Sequence, residues 1–236
     1  MKKMAIFVEG ETELRFIYRL IREIANAKNL QIILVRASGG GARIAARTYT
    51  VVYDSGSGAD KNFYIQIINS GTDNRVSSDI RDKYESLMNE GFSVIIGVRD
   101  VYPLSLEDLP NLRVGLRYYQ LKSESISVDF VLGVMEIEAW FLAEHTHFSR
   151  IHPRLSASRI AAMHGFDPSV DDMQLRLHPA IDLHNAYSLE GLAYKKTGSQ
   201  IQRTVEALDY AEMYLEHKAK FRDFAVFMRV IDQFFS

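Results

Sequence analysis

Three short apolar runs in this chain each stop at an acid: MAIFV at Glu9, SVIIGVR at Asp100 and DFVLGVM at Glu136. Apolar runs of this length, with little polar alternation, suit strands buried on both faces, the usual condition of a parallel sheet. Helical spacing follows the first run, with Leu14, Ile17, Leu20, Ile21 and Ile24 on one face and Thr12 placed to cap the helix. QIILV at 31–35 and FYIQII at 63–68 add two more strands. Ile80, Tyr84, Leu87 and Met88 mark a helix ahead of the strand at 92–98, and the strand at 128–134 leads into a helix near Glu136. After the break at Ser38-Gly39-Gly40-Gly41, residues 42–53 read as a further helix.

Strands alternating with helices over residues 1–145 define the expected fold class as α/β, a largely parallel sheet flanked by helices. Beyond residue 145 the strand signal stops. Residues 155–164, 199–217 and 221–235 have helical spacing, the last carrying Phe224, Phe227, Met228, Ile231 and Phe235. The expected division is therefore an α/β core at 1–145 and a mainly helical C-terminal region at 146–236 packing on it.

Composition removes several chemistries. The chain of 236 residues contains no cysteine, which excludes disulfides, thiolate-bound metal and thiol nucleophiles. Its net charge of −2 gives no general attraction for a polyanion, so a nucleic-acid enzyme would need a locally basic surface. The apolar run at the N-terminus ends at Val8, and no stretch approaches the roughly 20 apolar residues of a membrane span. The expectation is a cytoplasmic protein without a membrane partner.

The acids carry the functional expectation. In parallel α/β sheets, ligand sites form outside the carboxyl ends of the strands. If the strands before Glu9, Asp100 and Glu136 are neighbours, three carboxylates converge, and a hard cation such as Mg²⁺ or Mn²⁺ is the common relief of their repulsion. Glu13, four residues after Glu9, and Glu138, two after Glu136, extend the set. A competing role exists for each: an acid at a helix N-terminus complements the helix dipole, and a lone strand-end acid more often caps or faces solvent.

The segment Ile6-Phe7-Val8-Glu9-Gly10-Glu11-Thr12-Glu13 resembles the opening motif of TOPRIM domains, in particular OLD-type nucleases and the related TOPRIM-like proteins of bacterial defence loci. The Asp-x-Asp signature of that family is half present: Val98-Arg99-Asp100-Val101-Tyr102-Pro103 has the first aspartate and Tyr102 in place of the second. Met135-Glu136-Ile137-Glu138-Ala139 resembles the Glu-x-Glu-Ala segment of the divergent members, and Lys195-Lys196 resembles their late basic element. The resemblance implies a TOPRIM-like fold and metal-dependent cleavage of DNA or RNA. It implies metal ligation by Glu9, Glu13, Asp100, Glu136 and Glu138, and catalytic roles for Glu9, Asp100, Lys195 and Lys196. It also implies a role as a phage-defence effector beside a partner ATPase. Two alternatives stay open: a non-catalytic TOPRIM-like binding or assembly subunit, favoured by the missing second aspartate, and a Mg²⁺-dependent phosphoryl-transfer enzyme acting on a small nucleotide.

Weaker signals have plainer readings. Ser38-Gly39-Gly40-Gly41-Ala42-Arg43 lacks the Gly-Lys-Ser/Thr of a P-loop and reads as a flexible connection. His145, His147, His178 and His184 form no His-Glu-x-x-His pattern and read as surface or capping residues. Lys195 and Lys196 read equally well as a solvated pair ahead of a helix, and Trp140 with Phe141 as residues packing a helix onto the sheet.

Overall fold

The computed structural model describes residues 1–236 apart from 27, 41–45, 57, 59 and 121–125, and apart from the side chains of 73–74 and 118–120. The chain runs β1 (Lys2–Val8), α1 (Glu11–Ala25), β2 (Leu30–Ser38), β3 (Thr48–Asp54), β4 (Phe63–Asn69), α2 (Asp73–Asn89) and β5 (Val94–Asp100). A 3-10 turn at Leu106–Asp108 then leads into α3 (Leu109–Gln120) and β6 (Ser127–Gly133). The rest is helical: α4 (Glu138–Ala143), α5 (His147–Ile151), α6 (Ala157–His164), a 3-10 turn at Met173–Leu175, α7 (Pro179–Ser188) and α8 (Gly198–Ala207). It closes with α9 (Tyr210–Glu212), a π turn at Met213–His217, α10 (Lys218–Lys220) and α11 (Arg222–Phe235). The fold is thus α/β with a helical C-terminal part. Among the described residues no helix is long and apolar enough to cross a membrane.

The chain divides into two compact units: Met1–Arg99 with Pro110–Val131 and Arg229–Ser236, and Asp100–Leu109 with Leu132–Met228. The sheet, in the order β3-β2-β4-β1-β5-β6, organises the first. β1 is parallel to β4 and β5, β2 is parallel to β4, and β3 is antiparallel to β2. β6 runs with β5, since Ser127 N donates to Ser93 O at one end (3.2 Å) and Val101 N to Gly133 O at the other (3.0 Å).

Met4 to Val8 of β1 are all fully buried, which explains why the run is continuously apolar. Leu14, Phe16, Ile17, Leu20 and Ile21 supply the buried face of α1. A Cβ at Gly97 would lie 2.6 Å from the Phe130 ring and 2.8 Å from Ile80, so glycine in β5 is what lets that ring pack.

Three local expectations are corrected. Residues 48–53 do not continue a helix; they form β3, because Thr48, Thr50, Val51 and Val52 are β-branched, Tyr49 and Tyr53 are aromatic, and β2 offers a free edge. The beginning of that expected helix, 42–45, lies outside the described residues. Thr12 does not cap α1: Gly10 holds the cap position and Thr12 is buried within the first turn. The helix expected over 199–217 is broken at Leu208, whose backbone is extended (ψ 144°), and Asp209 restarts it by accepting from Glu212 N at 2.9 Å.

The Gly-rich connection is held by arginines. Arg47 donates to Gly39 O (3.1 Å) and pairs with the buried Asp79, and Arg75 donates to Gly40 O. Its Gly41-Ala42-Arg43 end lies outside the described residues.

The second unit packs around Trp140, Phe141, Leu142, Phe148, Leu155 and Tyr187, all fully buried. Trp140 meets Phe224 edge to face with centroids 5.2 Å apart.

Candidate functional site

The turn between β6 and α4 gathers acids in the second unit. Asp100 reaches it from the end of β5, its Oδ1 accepting from Ile137 N at 2.8 Å. Residue 133 must be glycine for this, because a Cβ there would lie 2.5 Å from Asp100 Oδ1 and 2.9 Å from Ile137 N. Ile137 separates Glu136 from Glu138, so Asp100 fixes the backbone that carries both.

Glu138 is fully buried although it opens a helix. Its Oε1 accepts from Tyr194 OH at 2.8 Å and lies 3.1 Å from Lys196 Nζ, while its Oε2 is buried without a hydrogen-bond partner. Glu136 Oε1 accepts from the same Lys196 Nζ at 3.2 Å, and Glu136 Oε2 accepts from Ala180 N at 2.9 Å. One ammonium therefore stands between two carboxylates. Burial pushes the Glu138 carboxyl up from its ordinary value; Lys196 is the main opposing influence, and Glu136 adds to the rise.

The backbone here is strained. Met135 has φ 60° and Lys196 φ 53°, two of the three non-glycine residues with positive φ among the described residues. Such conformations cost about 1–3 kcal/mol each and persist where surrounding structure over-determines them, commonly at functional sites. They bracket the acid pair, Met135 just before Glu136 and Lys196 at its ammonium.

Glu9 and Glu13 belong to the first unit. Val8 pairs with Val98, which sets Glu9 level with Arg99 at the carboxyl ends of β1 and β5. Glu13 is 3% exposed, and its Oε2 lies 3.1 Å from where a Cβ of Gly10 would be, so its carboxylate turns back over the strand-to-helix loop. Glu11 pairs with Arg15 (2.7 Å) and Arg36 (3.2 Å).

Of the expected site residues, Glu136, Glu138 and Lys196 come together in the second unit, and Asp100 reaches the same turn only at the backbone of Ile137. Lys195 is exposed, its backbone N donating to Gln200 Oε1 at 2.5 Å. Tyr194 and the amide of Ala180 were not anticipated. Tyr194 precedes Lys195 directly in sequence, whereas no pattern marks Ala180, which reaches Glu136 across 44 residues.

The histidine reading needs correction at His147, which is fully buried rather than on the surface. It bonds Glu144 O (2.6 Å) and Tyr187 OH (2.9 Å). His184 accepts from Tyr194 N at 3.0 Å, and His178 occupies the cap position of α7.

Among the described residues no group of three or more His, Asp or Glu side chains stands together as a metal cage. The Glu136–Glu138 pair nevertheless fits a hard cation: the donors are all oxygen, both carboxylates already converge on one cationic centre, and Glu138 Oε2 lacks a partner. Mg²⁺ characteristically takes one or two protein carboxylates and completes its shell with water and substrate phosphate. Compared with known protein families, curated proteins and solved structures, the chain matches none.

Proposed function

We propose that this chain is a TOPRIM-like, divalent-cation-dependent nuclease that cleaves phosphodiester bonds in DNA or RNA. The observation that carries the reading is the convergence of Glu136 and Glu138 on a single cationic point in the strained turn after β6. Glu136 and Glu138 would hold Mg²⁺ or Mn²⁺, which when bound activates water and neutralises charge on the scissile phosphate. Tyr194 orients Glu138 through its hydroxyl, and Asp100 steadies the turn through Ile137 N. Lys196 offers the phosphate a positive charge. Metal ligation by Glu9, Glu13 and Asp100, and catalytic roles for Glu9, Asp100 and Lys195, are implied by the resemblance alone. So are the phage-defence role, the partner ATPase and a cytoplasmic location.

The non-catalytic subunit has one observation in its favour: Lys196 already compensates the acid pair. Purified wild-type, Glu136→Gln and Lys196→Met proteins incubated with DNA and RNA in Mg²⁺, Mn²⁺ or EDTA separate the two. Cleavage that needs metal and falls about 100-fold or more in both variants is expected, the scale of losing one preorganised electrostatic group. Absence of cleavage by the wild type in every condition, or full activity of Glu136→Gln, overturns the nuclease reading in favour of the subunit.

A further inference from the structure

Two exposed rings flank Glu136. Tyr102 N donates to Met135 O at 2.8 Å, which fixes Tyr102 beside the residue that precedes Glu136. From the other direction Ala180 N donates to Glu136 Oε2 at 2.9 Å, and His178 lies two residues before Ala180. The Tyr102 and His178 rings meet edge to face, with centroids 5.6 Å apart and planes at 76°. Neither is in a core: Tyr102 is 43% exposed, and His178 is exposed as well. Leu177 and Ile181, the near neighbours of His178 in sequence, also face solvent, at 62% and 55%. Single exposed apolar residues are unremarkable, but here the segments that carry the ring pair are each tied to the candidate site by one backbone N–H, Tyr102 to Met135 O and Ala180 to the Glu136 carboxylate.

We propose that the Tyr102 ring, braced edge to face by His178, is a stacking platform for an unpaired nucleobase, which sets the adjoining phosphate at Glu136 and Lys196. The placing of the phosphate rests on the nuclease reading; the base subsite rests on the rings themselves. Every nucleobase has a flat π face, so aromatic stacking binds bases with little regard to sequence. A base inside a duplex has both faces covered by its neighbours, so the platform selects single-stranded or extruded nucleotides.

The test is fluorescence anisotropy in EDTA with a short labelled single strand, an abasic strand of equal length and a duplex. Wild-type, Tyr102→Ala and Tyr102→Phe proteins are compared. The wild type is expected to bind the base-bearing strand about tenfold or more tighter than the other two. Tyr102→Ala abolishes that preference and Tyr102→Phe retains it. Free AMP, added as competitor, displaces the strand in a Tyr102-dependent way if the base is that of a mononucleotide; failure to displace assigns it to a polymer. Equal binding of abasic and base-bearing strands by the wild type, an unchanged preference in Tyr102→Ala, or no binding at all overturns the platform. Base-dependent binding without cleavage in metal removes the nuclease reading and keeps the platform, whereas cleavage indifferent to Tyr102→Ala does the reverse.

Discussion

Lys196 concentrates the energetics of the candidate site in one side chain. It is 40% exposed, yet it compensates Glu138, which has no exposure at all. Breaking an exposed pair costs up to about 1 kcal/mol and stranding a buried charge about 3–5 kcal/mol. Because the carboxylate left behind is the buried partner, Lys196→Ala is expected to destabilise by about 2–4 kcal/mol in urea unfolding, between those limits. Lys196→Gly loses the same charge but relaxes the φ of 53°. It is expected to be more stable than Lys196→Ala by about 1 kcal/mol, the lower end of the left-handed penalty. Equal stability of the two variants would show that the backbone conformation stores nothing. The double substitution Lys196→Ala with Glu138→Gln should recover most of the loss, because no buried charge is then left alone.

At the scale of elements, α5, α7 and α8 are joined by a buried polar chain: His147 to Tyr187 OH at 2.9 Å, and Tyr187 OH to Thr204 Oγ1 at 3.1 Å. Burial holds the His147 imidazole down at about 3 and that of His217 down at about 4. Around His147 the carbonyl of Glu144 pulls the other way, while Arg150 and His145 add to the depression. Both rings are neutral in the fold, while in the unfolded chain they protonate near 6.5. Their contribution to stability is therefore complete above about pH 7 and is lost as pH falls toward the folded values, by up to about 1.4 kcal/mol per pH unit for each histidine. Urea unfolding of wild type and His147→Gln between pH 7 and pH 5 checks this, with a shallower pH slope expected in the variant. An identical slope would show that His147 is not held neutral.

The elements also show what the sequence discloses. β1, β5 and β6 were readable because each carries a buried, largely apolar run, Met4–Val8, Ile95–Val98 and Phe130–Leu132. β3 was not, because as an exposed edge strand it has no core face to impose a pattern, and only its β-branched residues signal extension. The acids at strand ends could be named from spacing. The meeting of Glu136 and Glu138 with Lys196 could not, since it joins distant parts of the chain through left-handed backbone at Met135 and Lys196, which no side-chain pattern marks. The burial of His147 was equally hidden, because its side-chain partner Tyr187 comes from a segment 40 residues away.

For the whole molecule, a cation held by Glu136 and Glu138 binds the folded chain and not the unfolded one, so it must raise the melting temperature. At a free concentration 100 times its dissociation constant, a single such ion stabilises by about 2.7 kcal/mol. In a chain of 236 residues that corresponds to roughly 5–10 °C. The measurement that tests the central claim most directly is the melting temperature of wild type and of Glu136→Gln/Glu138→Gln across a Mn²⁺ titration. A saturating rise in the wild type that the double variant lacks is the expected result. A melting temperature unmoved by millimolar Mn²⁺, or a rise of the same size in the double variant, would contradict the metal site at this turn.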